Sequence, residues 1–370
     1  MGPLFGSLFL LILTLAAPLG AQTAFAWKIT QQDGVPYIPL EDVRSFYKFS
    51  PLKKERGSDA IQTIGNSATC LEFGPGERDL RIQGYRLQLS RPIRYSSTGD
   101  LLISQEDIAK LLDPILRPVY IPNRQEVKTI VIDPGHGGHD IGVRNAHIRE
   151  ADFTQLMARA LAEELRQRGY TVILTQDSNS FRSNQQRAEI TRRQENAIFI
   201  SLHLNTGRSD VKGVQTYTTA PAAFGESPVP GNEFDAANIA LAFALQASLI
   251  SHTSATDAGI KRSHFSLLNS LNCPAALVEL GYATNEDDCA ALNSETHRQA
   301  LCTALANGID TFAATMKPDA VMTQPPASSF TPPATYEEEA PAITEQEPKA
   351  EEPKKKEDKK PARRKLRSKR

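Results

Sequence analysis

VIDPGHGGHDIGV, residues 131–143, ends an apolar run and then opens into glycine. The apolar part, reaching back through "TIV", reads as a buried strand. Gly135, Gly137, Gly138 and Gly142 follow it, interleaved with Asp133, Pro134, His136, His139 and Asp140. An imidazole set between glycines at a strand end is exposed and lets other groups approach closely. That position suits a ligand, a catalytic base or a plain turn, and the rest of the chain has to decide among them.

Outward from this stretch, strand and helix signals alternate over residues 128–316. "ADFTQLMARALAEELRQRGY" is an amphipathic helix, with Phe153, Leu156, Met157, Ala160, Leu161 and Leu165 expected on its buried face and Gly169 ending it. "TVILTQD", "AIFISLHLN", "GVQTYTT" and "AALVELGY" read as strands. "NQQRAEITRRQEN", "EFDAANIALAFALQASLISHT" and "THRQALCTALANGIDTFAATM" read as helices. Strands separated by helices of this length imply an α/β fold, a mostly parallel sheet with helices on both faces.

The flanks differ in character. Residues 1–26 are apolar and then small, the pattern of a secretory signal peptide, with cleavage expected after Ala21 or Ala26. Residues 27–122 form a small α+β accessory domain. Its "YIPLEDV" and "LLISQEDIAKLL" units, the second capped by Ser104 and burying Ile108, Leu111 and Leu112, resemble the small N-terminal domain of copper amine oxidases. No histidine cluster accompanies them, so copper chemistry is not implied. Residues 317–370 are Pro-rich, then acidic, then basic, and are expected to be disordered. The terminal "KPARRKLRSKR" is expected to contact anionic envelope polymers.

The 370-residue chain is 40% hydrophobic and 23% charged, with a net charge of −1. That balance argues against a nucleic-acid binder, and no later segment reads as a transmembrane span of the mature chain. Cys70, Cys273, Cys289 and Cys302 form no CxxC pair and are expected to be free thiols.

Ligand sites in such sheets form at the carboxyl ends of strands. "IVIDPGHGG" ends in His136, "IFISLHLN" in His203, and "ALVELGYATN" carries Glu279. Glu150 stands at the start of the first helix. Two histidines and a carboxylate around an open position make a zinc arrangement. Glu279 sits in an apolar run, where a carboxylate without a partner is costly. Taken singly each residue has a plainer role: a polar turn for His136, a first-turn acid for Glu150, a core histidine for His203. Together they converge on one sheet edge. His139 and His147 read as surface, and His264 as a groove residue. Asn205 and Asn285 are candidates for hydrogen bonds to glycan or peptide.

In their order and spacing, "VIDPGHGG", "SLHLN" and "ALVELGYATN" resemble the zinc-dependent N-acetylmuramoyl-L-alanine amidases of the Amidase_3 family, over about Lys128 to Phe312. The resemblance implies that His136, Glu150 and His203 bind Zn2+ and that Glu279 is the catalytic carboxylate. It also implies a peptidoglycan hydrolase that cuts between N-acetylmuramic acid and the L-alanine of the stem peptide, exported to the periplasm or cell envelope for wall remodelling or daughter-cell separation. In this reading Asp133 or a backbone carbonyl holds the far nitrogen of His136. A zinc hydrolase of another amide, or a peptidoglycan binder with a vestigial site, are the competing readings. A binder has no use for a buried general base.

Overall fold

The computed structural model describes residues 25–318, apart from 51–52, 55–61, 68, 75, 179 and 223–226. The expected leader up to residue 24 and the expected tail from residue 319 lie outside the described residues.

Seven strands matter for the site: β1 (Tyr85–Gln88), β2 (Thr129–Pro134), β3 (Thr171–Leu174), β4 (Ala197–Asn205), β5 (Val214–Thr219), β6 (Asp257–Ser263) and β7 (Ala275–Tyr282). Four helices accompany them: α1 (Glu150–Gln167), α2 (Asn184–Arg192), α3 (Asp235–His252) and α4 (Glu295–Met316). The sheet order is β3-β2-β4-β7-β5-β6-β1, and beyond β1 it continues through four shorter antiparallel strands of the N-terminal region. β3, β2, β4 and β7 run parallel. β5 is antiparallel to β7 and parallel to β6. The expected α/β fold is present, with a mixed rather than uniformly parallel sheet.

Side-chain alternation along the strands divides the core into two. Ile130, Ile132, Ile198, Ile200, Leu202, Ala276 and Val278 lie in a core with α1, α3 and α4. Val131, Phe199, Ala275 and Leu277 lie in a second core with Ala188 of α2 and the short helix Ser266–Asn269. A strand buried on both faces has no polar alternation, which is why these segments read as continuous apolar runs. The period of two also sorts the polar residues: Asp133, Ser201, His203 and Glu279 have the parity of Val131, Phe199 and Leu277. They therefore belong to the face with the lighter helical cover.

Helix α1 corrects one expectation. Its buried stripe is Phe153, Thr154, Met157, Ala158, Leu161, Ala162 and Leu165. Leu156 is 51% exposed and Ala160 is also exposed. At 100° per residue Leu156 falls on the far side of the helix from that stripe, and Ala160 lies just beyond its Phe153 edge.

A second sheet of four antiparallel strands includes Val35–Pro39 and Leu101–Ser104. Ser104 caps the following helix, accepting from the Asp107 N–H, as its position suggests. Ile38, Val43, Leu71, Leu87 and Leu112 share one core with Ile239 and Ala242 of α3 and Ile260 of β6. Cys273, Cys289 and Cys302 are buried free thiols.

Candidate active site

After Pro134 the chain leaves β2 and turns tightly. A Cβ at Gly135 would come within 2.4 Å of the His203 ring, so only glycine lets that imidazole lie against the backbone. His136 adopts φ 63, a left-handed conformation uncommon for a residue with a side chain. Its Nδ1 meets Asp140 Oδ1 at 2.9 Å and its Nε2 meets Glu150 Oε2 at 3.1 Å.

Glu150, at the first position of α1, is 2% exposed. Its Oε2 accepts from the Val143 N–H at 2.8 Å. Its Oε1 accepts from the Leu204 N–H at 2.9 Å and lies 3.0 Å from His203 Nδ1. Burial alone would raise this carboxyl. The two imidazoles and the Leu204 N–H outweigh burial and hold it well below the ordinary carboxylate range. The hydrogen bond to Glu150 in turn raises His136 to about 9, against the opposing effect of burial.

One ligand atom from each of His136, Glu150 and His203 lies within 4.8 Å of the others. This is the one such group found among the described residues. The Asp140 contact engages Nδ1 of His136 and leaves Nε2 facing the cluster, the arrangement that orients a metal-binding imidazole. The donor set, two imidazole nitrogens and a carboxylate oxygen, fits a divalent cation.

Glu279 lies beside this cluster. It pairs in register with His203 across β4 and β7, and with Gln215 across β5 and β7. Burial raises its carboxyl to about 7, although His203 and His136 pull it down. Its buried Oε2 has no hydrogen-bond partner. Such an orphaned carboxylate oxygen calls for an explanation.

The structure sorts the remaining candidates. Asp133 does not hold His136. It points to the other side of the turn, where it accepts from Thr175, from Ser201 at 2.8 Å and from Arg187 at 2.8 Å. Asp140, four residues after His136 on the returning arm of the same loop, makes the contact expected of Asp133 or a backbone carbonyl. His139 is exposed and packs on Phe181 with ring centroids 4.2 Å apart. His147 and His264 are exposed and stand outside the cluster. Asn285 is spent on structure, capping the helix at Glu286 and donating to Ser209 O. Asn205 donates to Gln215 Oε1 at 3.2 Å. One residue near the site escaped the sequence reading: Arg187, 4% exposed. The available signal was an arginine followed by alanine on the apolar side of an otherwise polar helix.

The chain was compared with known proteins. Residues 130–311 match the Amidase_3 model, described as N-acetylmuramoyl-L-alanine amidase. The chain is 29% identical to the uncharacterized protein YqiI of Bacillus subtilis over 50% of its own length and 85% of that protein. It is 27% identical to the N-acetylmuramoyl-L-alanine amidase LytC of Bacillus subtilis over 49% of its length, but spans only 34% of that relative. Among solved structures, the catalytic domain of CwlV, an N-acetylmuramoyl-L-alanine amidase from Bacillus (Paenibacillus) polymyxa var. colistinus, aligns with a TM-score of 0.45 at 27% identity, covering 50% of this chain and 98% of that domain. The matched stretch carries all four groups brought together here, and residues 130–311 belong to the Amidase_3 family, the N-acetylmuramoyl-L-alanine amidases.

Proposed function

We propose that this protein is a zinc-dependent peptidoglycan amidase of the cell envelope. His136, Glu150 and His203 hold the metal, and Glu279 acts as general base and then general acid. The observation that carries this reading is Glu279, a buried carboxylate with an unpartnered oxygen, in register with His203 of the three-residue cluster. A purely structural residue at this position would have a partner.

Bound zinc would supply a Lewis acid and lower the pKa of a coordinated water to about 7. The chain's own residues do the rest. Glu150 brings negative charge to two imidazoles, and Asp140 fixes the His136 ring. Glu279 takes a proton from the attacking water at the carbonyl of the lactyl–alanine amide. It then delivers that proton to the departing alanine nitrogen. The lightly covered face of the sheet gives a glycan strand room to approach. The likeness to the N-acetylmuramoyl-L-alanine amidase LytC supports export to the envelope, with residues 1–26 as the leader.

Purified peptidoglycan digested with the protein should yield new L-alanine amino termini and sugars with intact lactyl groups by mass spectrometry. Cleavage within the stem peptide instead would mean a hydrolase of another amide.

Two further outcomes are expected. Glu279 must be ionised to act as base, so kcat/KM should fall as pH drops and the carboxyl takes up a proton. Burial raises that carboxyl, and a bound cation lowers it again, so the acid limb should have its midpoint between an ordinary glutamate, about 4.3, and about 7. A pH–rate profile flat down to pH 4 would contradict the assignment. Gly142 has φ 61, and a Cβ there would lie 2.5 Å from Glu150 Oε2 and 2.6 Å from His136 Cδ2. Gly142→Ala should displace one of these groups and weaken zinc about 10–100-fold, the scale seen when a ligand's support is disturbed. Chelator competition reads this directly.

A further inference from the structure

The loop that carries His136 is gripped from behind by two side chains that do not belong to the cluster. Arg187, from α2, donates through Nη1 to Pro134 O at 2.7 Å and through Nη2 to His136 O at 2.6 Å. Gln176, just after β3, donates through Nε2 to the same two carbonyls. Arg187 also reaches Gln176 Oε1 at 3.4 Å, so the two grips touch. Both residues are buried.

These contacts do more than fill space. Pro134 and His136 are two residues apart, and their carbonyls converge on one guanidinium only because the chain between them turns back on itself. That turn includes the left-handed His136 backbone. A strained conformation at a functional residue persists when its surroundings over-determine it. Here the planar fork of arginine spans both acceptors at once, which a lysine's single ammonium does not reproduce. Asp133 anchors the fork through Nη1 at 2.8 Å and is itself fixed by Thr175 and Ser201.

We propose that Arg187 and Gln176 are positioning residues that set metal affinity by holding the backbone of His136 in its left-handed conformation. They touch neither the metal position nor substrate. Their effect passes through the direction of the His136 ring. The inference rests on the proposed role of His136 as a ligand.

The test is the zinc affinity of Arg187→Lys and Gln176→Ala, measured by chelator competition well below the thermal midpoint of each metal-free variant. Under those conditions a loss of fold stability alone leaves the Kd of the folded protein unchanged. Each variant should bind zinc about 10-fold or more weakly, within the range for residues supporting a ligand. Gln176→Ala keeps the buried charge pair intact, so it decides the matter if Arg187→Lys does not fold. Zinc Kd values within twofold of the unaltered protein, with lowered thermal midpoints, would overturn the proposal and leave the pair as packing. An unaltered protein that binds no zinc would overturn the ligand assignment as well, and so separates the two failures.

Discussion

Replacing Glu279 by Ala should lower turnover by about 100-fold or more, the scale for losing a positioned acid–base group, while bound zinc stays near one per chain. The carboxylate stands beside the cluster and outside it, so its loss removes the proposed proton acceptor and leaves two imidazoles and Glu150 in place. The variant should fold well. Glu279 Oε2 is buried and makes no hydrogen bond, and removing an unpartnered carboxylate oxygen relieves a desolvation cost. A thermal midpoint equal to or above that of the unaltered chain, together with the lost rate, is the combination expected of a group kept for chemistry. Added zinc should not restore the rate. Activity within a few-fold of normal would remove Glu279 from the mechanism.

The second large effect is on stability. Asp133 is 1% exposed and faces the Arg187 guanidinium, with a side chain that is itself only 5% exposed. Asp133→Ala strands that guanidinium and leaves the hydroxyls of Thr175 and Ser201 without their acceptor. Breaking a buried pair by removing one partner costs about 3–5 kcal/mol, a large part of the 5–15 kcal/mol by which domains are ordinarily stable. Denaturant unfolding should show the free energy of unfolding falling by that amount, through a lower midpoint at unchanged slope. Asp133→Asn keeps an acceptor at the same place and should lose less. A loss below about 1 kcal/mol for Asp133→Ala would mean that the Arg187 hydrogen bonds to carbonyls suffice without the charge.

Much of this molecule was legible before the fold was seen. The apolar runs "AIFISLHLN" and "AALVELGY" coincide with β4 and β7, because strands buried on both faces leave a dense apolar signal. Glu279 could be singled out from its surroundings because a carboxylate in such a run is unusual. His136, Glu150 and His203 are separated by long stretches of chain, and only the parallel order of β2 and β4 brings them to one place. Other features depended on three-dimensional direction. Leu156 reads as core from composition, yet helical phase turns it outward. Asp133 stands three residues before His136 and was a natural partner for it, but strand alternation sends it toward α2, and Asp140 makes the contact instead. Asn285 looked available for substrate, whereas the helix that follows it needs a cap. Arg187 gave little signal because "NQQRAEITRR" contains three arginines, and only the alanine after Arg187 sets it apart.

Two carboxylates stand at one sheet edge, Glu150 proposed to hold metal and Glu279 to move protons. Metal analysis of the purified protein, Glu150→Ala and Glu279→Ala tests this division most directly. About one zinc per chain is expected in the unaltered protein and in Glu279→Ala, and little or none in Glu150→Ala, where two imidazoles are too few for a tight site. Full zinc in Glu150→Ala, or a metal-free Glu279→Ala, would contradict it.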